Sequence, residues 1–158
     1  MKHLKGNRLS GKNVIVTGAG SGTTGYGLGQ SIAILFANQG AKVLVVDIDS
    51  DRASRTVNTI VENGIAASLC VADVTIADQC QNVIDTAIEN YGNLDILINN
   101  VGIKGLGSVT DLDEEHYNRV LSVNLSSMVL MSKYAIPYMI DNGGGSIVNM
   151  SSFGAMRS

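Results

Sequence analysis

Hydrophobic and polar positions alternate between two regimes along the chain. Segments 14–16 and 42–46 are short, valine-rich and unbroken by polar residues. That is how strands buried on both faces of a parallel sheet read. Segments 66–71, 94–98 and 146–149 are similar, and they predict three further strands. Helical patterns lie between them. Leu28, Ile32, Leu35 and Phe36 form an i, i+4, i+7, i+8 stripe, and Gly40 follows as a stop. Ala53, Val57, Ile60 and Val61 repeat the pattern ahead of Gly64. Cys80, Val83, Ile84, Ala87, Ile88 and Tyr91 make the cleanest stripe, ended by Gly92. A longer helix is expected from about Asp113 to about Ile140, with a stripe of Tyr117, Val120, Leu121, Leu125 and Met128. Glu114 and Glu115 suit its first turn, and Pro137 should kink it near its end.

The predicted order is therefore βαβαβαβαβ. Such alternation implies right-handed crossovers and a parallel sheet with helices on both faces. In the doubly wound arrangement the strand order is 3-2-1-4-5. Ligands then bind at the carboxyl ends of the strands, near the switch between strands 1 and 4. No internal repeat, low-complexity tract or linker divides the chain, so residues 1–158 read as one domain.

Composition narrows the possibilities. Apolar residues make up 45% of the chain and charged residues 16%, which excludes a disordered polar tail. No run of 18 apolar residues is present, so no membrane-spanning helix is expected. The start, MKHLKGNRLSGK, lacks the apolar stretch of a secretory signal, and a cytoplasmic protein is expected. Eleven Lys and Arg against 14 Asp and Glu give a net charge of −3, which argues against nucleic-acid binding. Cys70 and Cys80 form no CxxC and read as reduced thiols. His3 and His116 have no partner at ligand spacing, so no metal site is expected. Asp111, Asp113, Glu114 and Glu115 read as a solvated helix start.

The chemistry concentrates in the glycines. Six of the 18 fall between Gly18 and Gly29, in Gly18-Ala19-Gly20-Ser21-Gly22-Thr23-Thr24-Gly25-Tyr26-Gly27-Leu28-Gly29. This loop follows a buried strand and opens an amphipathic helix. Glycines there permit a tight turn and let backbone N–H groups approach a pyrophosphate, and the helix N-terminus adds partial positive charge. The second strand ends in Val45-Val46-Asp47, 18 residues beyond Gly29. An acidic residue there can accept hydrogen bonds from an adenosine ribose and would repel a 2′-phosphate, which favours NAD over NADP.

At this point the chain resembles the short-chain dehydrogenase/reductase family, from Leu9-Ser10-Gly11-Lys12 to Ser151-Ser152. Thr17-Gly18 with Gly27-Leu28-Gly29 is similar to the family's T-G-x-x-x-G-x-G. Asp73-Val74 resembles the pair that holds the adenine. Asn99-Asn100-Val101-Gly102 is similar to N-N-A-G at the end of strand 4. Val123-Asn124-Leu125 resembles the helix segment with the catalytic asparagine, and Gly145 to Ser152 resembles strand 5 with the catalytic serine. The resemblance implies a Rossmann-like fold and hydride transfer between a nicotinamide coenzyme and an alcohol or carbonyl carbon. It implies coenzyme contacts at Thr17, Gly18, Gly20, Gly27, Leu28, Gly29, Asp47, Asp73, Val74, Asn100, Val101 and Gly102. It implies that Ser152 hydrogen-bonds the substrate oxygen and that Asn124 holds a water in the proton path. It also implies a homo-oligomer for the full-length form.

Two departures from the family pattern stand out. Gly18 and Gly27 enclose eight residues where the family has three, and the extra residues could bulge over the pyrophosphate. The second concerns the catalytic tyrosine, whose lysine partner follows four residues later in the family. The residues four places after Tyr26, Tyr91, Tyr117, Tyr134 and Tyr138 are Gln30, Asp95, Leu121, Tyr138 and Asn142. No Y-x-x-x-K exists, and only six residues follow Ser152. The chain is therefore expected to be the N-terminal, coenzyme-binding part of such an oxidoreductase, inactive by itself. The alternative is a non-catalytic dinucleotide-binding protein, a sensor or interaction module.

Overall fold

The computed structural model describes residues 5–22, 25–105 and 107–152. Five parallel strands form one sheet in the order β3-β2-β1-β4-β5. They are β1 (Asn13–Thr17), β2 (Lys42–Asp47), β3 (Ala67–Val71), β4 (Ile96–Asn99) and β5 (Ser146–Asn149). Helices α1 (Leu28–Asn38), α2 (Ser50–Val61) and α3 (Ala77–Tyr91) connect the first four. A longer helical run joins β4 to β5: α4 (Glu114–Leu121), a π-helical turn (Ser122–Ser126) and α5 (Ser127–Asp141). This is the Rossmann-like, doubly wound arrangement expected from the alternation of patterns.

Period-two alternation in the strands sorts the core into two layers. Val14, Val16, Val43, Val45 and Ile98 point to one face and pack with Ala33, Ile34 and Ala37 of α1 and Ala53 and Ile60 of α2. Ile15, Leu44, Val46 and Leu97 point to the other face, against Val83, Ile84 and Ala87 of α3 and Met131, Ala135 and Met139 of α5. All five residues of β1 are buried, as the uninterrupted apolar run requires for a central strand. At the amino ends of the strands Asp95 ties β1 to the turn before β4. Its Oδ2 accepts from the Asn13 N–H and its Oδ1 from Lys12 Nζ, both at 2.9 Å. The opposite, carboxyl ends are left to the ligand site.

Two helix faces differ from the expected stripes. In α1 the deepest residues are Gly29, Gln30, Ala33, Ile34, Ala37 and Asn38, whereas Leu28 is 59% exposed. Small residues let the helix approach the sheet closely, so Ile32 and Phe36 pack only at the margin of the layer. In the long helical run Tyr117, Leu121 and Leu125 lie exposed, and Val123, Ser127, Met131, Ala135 and Met139 are buried. Tyr117 and Leu121 belong to α4, no residue of which is buried; after them comes a π turn, in which the Ser127 N–H donates to the Ser122 carbonyl, five residues back. A π turn takes one extra residue and so rotates the buried face by about 100°. The expected helix start holds: Asp113 caps α4 by accepting from the His116 N–H at 3.2 Å. Beyond Pro137 the helix continues to Asp141.

Candidate coenzyme and active site

The carboxyl ends of β1, β2 and β4 enclose a groove of about 340 Å³. The first wall is the glycine loop. Gly18 leaves β1 with φ of +60°, a left-handed conformation that side-chain-bearing residues rarely adopt. Gly29, in the first turn of α1, lies against the Gly18 carbonyl and the Asn100 amide, and a Cβ on it would collide with both. This close approach of helix and strand puts the N-terminus of α1 at the groove. Gly18, Gly20, Gly27, Leu28 and Gly29 all border the groove.

The second wall is Asp47, at the end of β2 and 8% exposed. Its Oδ2 accepts from the Gly20 N–H at 2.8 Å and its Oδ1 from the Asp49 N–H at 3.1 Å. Two backbone donors thus orient the carboxylate, and each oxygen keeps further acceptor capacity toward the groove. Asp73 and Val74 follow β3 and form the third wall. The Thr75 N–H and hydroxyl donate to Asp73 Oδ1 at 2.9 and 2.6 Å, and Arg119 stands 3.9 Å from its Oδ2. Burial alone would raise the Asp73 pKa, but these hydrogen bonds and the guanidinium outweigh it and hold the carboxyl below its usual range.

Asn100, Val101 and Gly102 leave β4 across the floor. The Asn100 amide donates to the Thr17 and Gly18 carbonyls at 3.3 and 3.1 Å. Thr17 does not border the groove. Its hydroxyl accepts from the Asn100 N–H at 3.0 Å and donates to the Ile98 carbonyl at 3.2 Å, which locks β1 to β4 at the switch point. Thr17 therefore supports the site from behind.

A second cavity, of about 840 Å³, adjoins the groove and shares Leu28, Asn100, Val101, Gly102 and Ile103 with it. Asn124, Ser151 and Ser152 border this cavity. The fold thus brings Asn124, from the π turn, and Ser152, from beyond β5, to one place. The Asn124 carboxamide is engaged with the loop after β4. Its Oδ1 accepts from the Ile103 N–H at 2.8 Å, and its Nδ2 donates to the Ile103 carbonyl at 2.9 Å.

Sequence reasoning missed Ile48, Arg52 and Arg119, which also border the groove. Ile48 could have been found as the residue after Asp47. Arg119 lies on α4 and reaches Asp73 only through the tertiary fold. The lengthened part of the glycine loop also departs from expectation. Ser21, Gly22, Gly25 and Tyr26 border a separate outer groove against α2 and not the groove at the strand ends. Thr23 and Thr24 lie outside the described residues. No group of three or more His, Cys, Asp or Glu that could hold a metal is found among the described residues. No helix among them is long and apolar enough to cross a membrane.

The geometry suits a dinucleotide. Gly29 lets α1 approach the Gly18 carbonyl closely, the N-terminus of α1 faces the groove, and the oriented Asp47 carboxylate borders it. Comparison with known proteins agrees. Residues 12–158 match the model of the short chain dehydrogenase family. An uncharacterized oxidoreductase from Thermotoga maritima is 39% identical over 144 residues, 91% of this chain and 55% of that protein. A short chain dehydrogenase structure from Mycobacterium smegmatis superposes with a TM-score of 0.91 at 32% identity, over 98% of this chain and 64% of that one. The structure of a 7α-hydroxysteroid dehydrogenase complexed with NADH and 7-oxo glycochenodeoxycholic acid superposes with a TM-score of 0.88 at 36% identity, over 98% of this chain and 57% of that one. The chain spans a little over half the length of the relatives it matches. Five motifs on one βα ladder, the groove they enclose and these likenesses lead to one conclusion: the chain belongs to the short-chain dehydrogenase/reductase family.

Proposed function

We propose that this chain is the NAD(H)-binding part of an oxidoreductase that transfers hydride between the coenzyme and a small alcohol or carbonyl substrate. The observation that carries the coenzyme assignment is Asp47. Its carboxylate is oriented by Gly20 and Asp49 and borders the groove together with the α1 N-terminus. It would accept hydrogen bonds from the adenosine ribose hydroxyls and repel a 2′-phosphate. The glycine-loop N–H groups and the start of α1 would hold the pyrophosphate. Asp73 and Val74 would hold the adenine, and Asn100, Val101 and Gly102 the nicotinamide half. When bound, the nicotinamide supplies or accepts the hydride.

On the substrate side, the Ser152 hydroxyl would donate a hydrogen bond to the reacting oxygen. Asn124 would hold the Ile103 loop in place and a water in the proton path. Proton transfer to the substrate oxygen needs a group of suitable pKa beside it. The 158 residues hold no Tyr-x-x-x-Lys pair. For this chain by itself we therefore propose coenzyme binding without turnover. The longer, homo-oligomeric form would carry the reaction. The NADH complex of the 7α-hydroxysteroid dehydrogenase supports the coenzyme class and the alcohol/carbonyl chemistry.

Fluorescence titration of the purified chain tests this reading. Saturable NADH binding, with NADPH weaker, is the expected result. No saturable binding of either would overturn it, and tighter NADPH binding would overturn the choice of NAD.

A further inference from the structure

The glycine loop is fastened to α2 most extensively through the buried Ser21. Its N–H donates to the Arg52 carbonyl at 2.9 Å. Its carbonyl accepts from Arg52 Nε at 2.8 Å, and its hydroxyl accepts from Arg55 Nε at 2.7 Å. The two residues before it are held as well. The Ala19 carbonyl accepts from the Thr56 hydroxyl at 2.8 Å, and Gly20 donates to Asp47. Residues 19–21 are thus tied side by side to β2 and α2. Beyond them, a Cβ on Gly22 would stand 2.7 Å from the Gly25 carbonyl, so these two glycines lie close together.

A glycine-rich stretch that first has to be ordered loses conformational entropy when a ligand binds. Bonds that order it beforehand strengthen binding without touching the ligand. Arg52 borders the coenzyme groove, so a change there would mix contact with positioning. Arg55 borders the outer groove and not the coenzyme groove, and its one side-chain hydrogen bond among the described residues goes to Ser21.

We propose that Arg55, acting through the Ser21 hydroxyl, is a positioning residue for coenzyme binding: it holds residues 19–21 of the glycine loop in the shape that receives the pyrophosphate. This rests on the coenzyme-binding reading above. The loop has five residues more than its family pattern, and the bond to α2 replaces the rigidity that a short turn would have by itself.

The test is NADH titration of the 158-residue chain and of Arg55→Ala, Ser21→Ala, the double variant and Arg55→Lys, each with its thermal unfolding curve. Arg55→Ala and Ser21→Ala should each weaken NADH binding about three- to tenfold. The double variant should be no weaker than the weaker-binding single one, because both remove the same bond. Arg55→Lys should recover part of the loss, and the unfolding temperature should stay close to that of the unsubstituted chain. Unchanged affinity in Arg55→Ala, additive losses in the double variant, or a loss matched by general destabilisation would overturn the positioning role. Should Arg55→Ala fail to fold, Ser21→Ala, which removes only a hydroxyl, carries the test. If the unsubstituted chain binds no NADH, the coenzyme reading itself fails, and this proposal with it.

Discussion

Asn124 brackets Ile103: one carboxamide both accepts from the Ile103 N–H, at 2.8 Å, and donates to its carbonyl, at 2.9 Å. The two residues belong to different elements, the π turn and the loop after β4. The bracket therefore fixes the wall shared by the coenzyme groove and the adjoining cavity. Asn124→Leu removes both bonds. We expect a stability loss of about 1–2 kcal/mol, since the site is partly open to water. The Ile103 amide should exchange with deuterium much faster. Asn124→Asp keeps the acceptor but turns a second oxygen toward a carbonyl, and should fall between. Undiminished protection of Ile103 in Asn124→Leu would contradict the bracket.

Asp47 is expected to govern coenzyme affinity and choice together. In Asp47→Ala the Gly20 and Asp49 N–H groups lose their acceptor, and on the proposed reading the ribose would lose its own. NADH affinity should fall at least about tenfold, equivalent to about 1.4 kcal/mol. The NADPH-to-NADH affinity ratio should rise, because the charge that on this reading would repel a 2′-phosphate is gone. Parallel titrations with the two coenzymes measure this.

Gly29→Ala should destabilise the fold itself. The new methyl would press on the Gly18 carbonyl and the Asn100 amide, which are backbone and tightly hydrogen-bonded neighbours. Overpacking of this kind costs about 1–3 kcal/mol. The thermal midpoint should drop by several degrees, and coenzyme binding should weaken because α1 is pushed off the strand. An unshifted midpoint would mean that the helix relaxes freely.

The two cysteines should be inert in the folded chain. Burial and the Asp73 charge push the Cys80 thiol up to about 11, and its Sγ donates to the Val74 carbonyl at 3.1 Å. Burial also raises Cys70, against the lowering effect of its Thr86 hydrogen bond. A raised thiol pKa keeps the reactive thiolate scarce. At pH 8 a group with a pKa near 11 is ionised in about one molecule per thousand. A chromogenic disulfide reagent should therefore label neither thiol until denaturant exposes them. Prompt labelling of one thiol in the native chain would show that β3 and α3 open readily.

Much of the architecture was legible in the chain. Val14, Ile15 and Val16 announce a strand covered on both faces, and Cys80, Val83, Ile84 and Ala87 announce the inner face of α3. Both are strong because large apolar side chains recur at the period of their element. The faces of α1 and of the long helical run were not legible. In α1 the sheet-facing positions are held by Gly29, Ala33 and Ala37, whose small size is what burial there requires. In the long run a single π turn shifts the phase between Leu121 and Ser127, and no hydrophobic pattern marks where it falls. Of the site, the glycines and Asp47 could be read from position after a strand, and Asp73 and Asn100 from the resemblance to the family's motifs. Arg52, Arg55 and Arg119 could not, because arginines on a helix surface look alike until a partner is placed opposite them.

The sequence by itself determined the order of elements, the strand topology and the end of the sheet where a ligand would sit. These follow from local periodicity and from the handedness of βαβ crossovers, both carried by short stretches of chain. Only the tertiary structure decided what the individual polar groups do. It showed that Thr17 supports Asn100 from behind the groove, that Asn124 spends its carboxamide on Ile103, and that Ser21, Gly22, Gly25 and Tyr26 lie against α2. Hydrogen bonds between residues 21 to 83 positions apart depend on distances of a few ångströms. Those distances are set by packing of the whole sheet and its helices, and no local pattern encodes them.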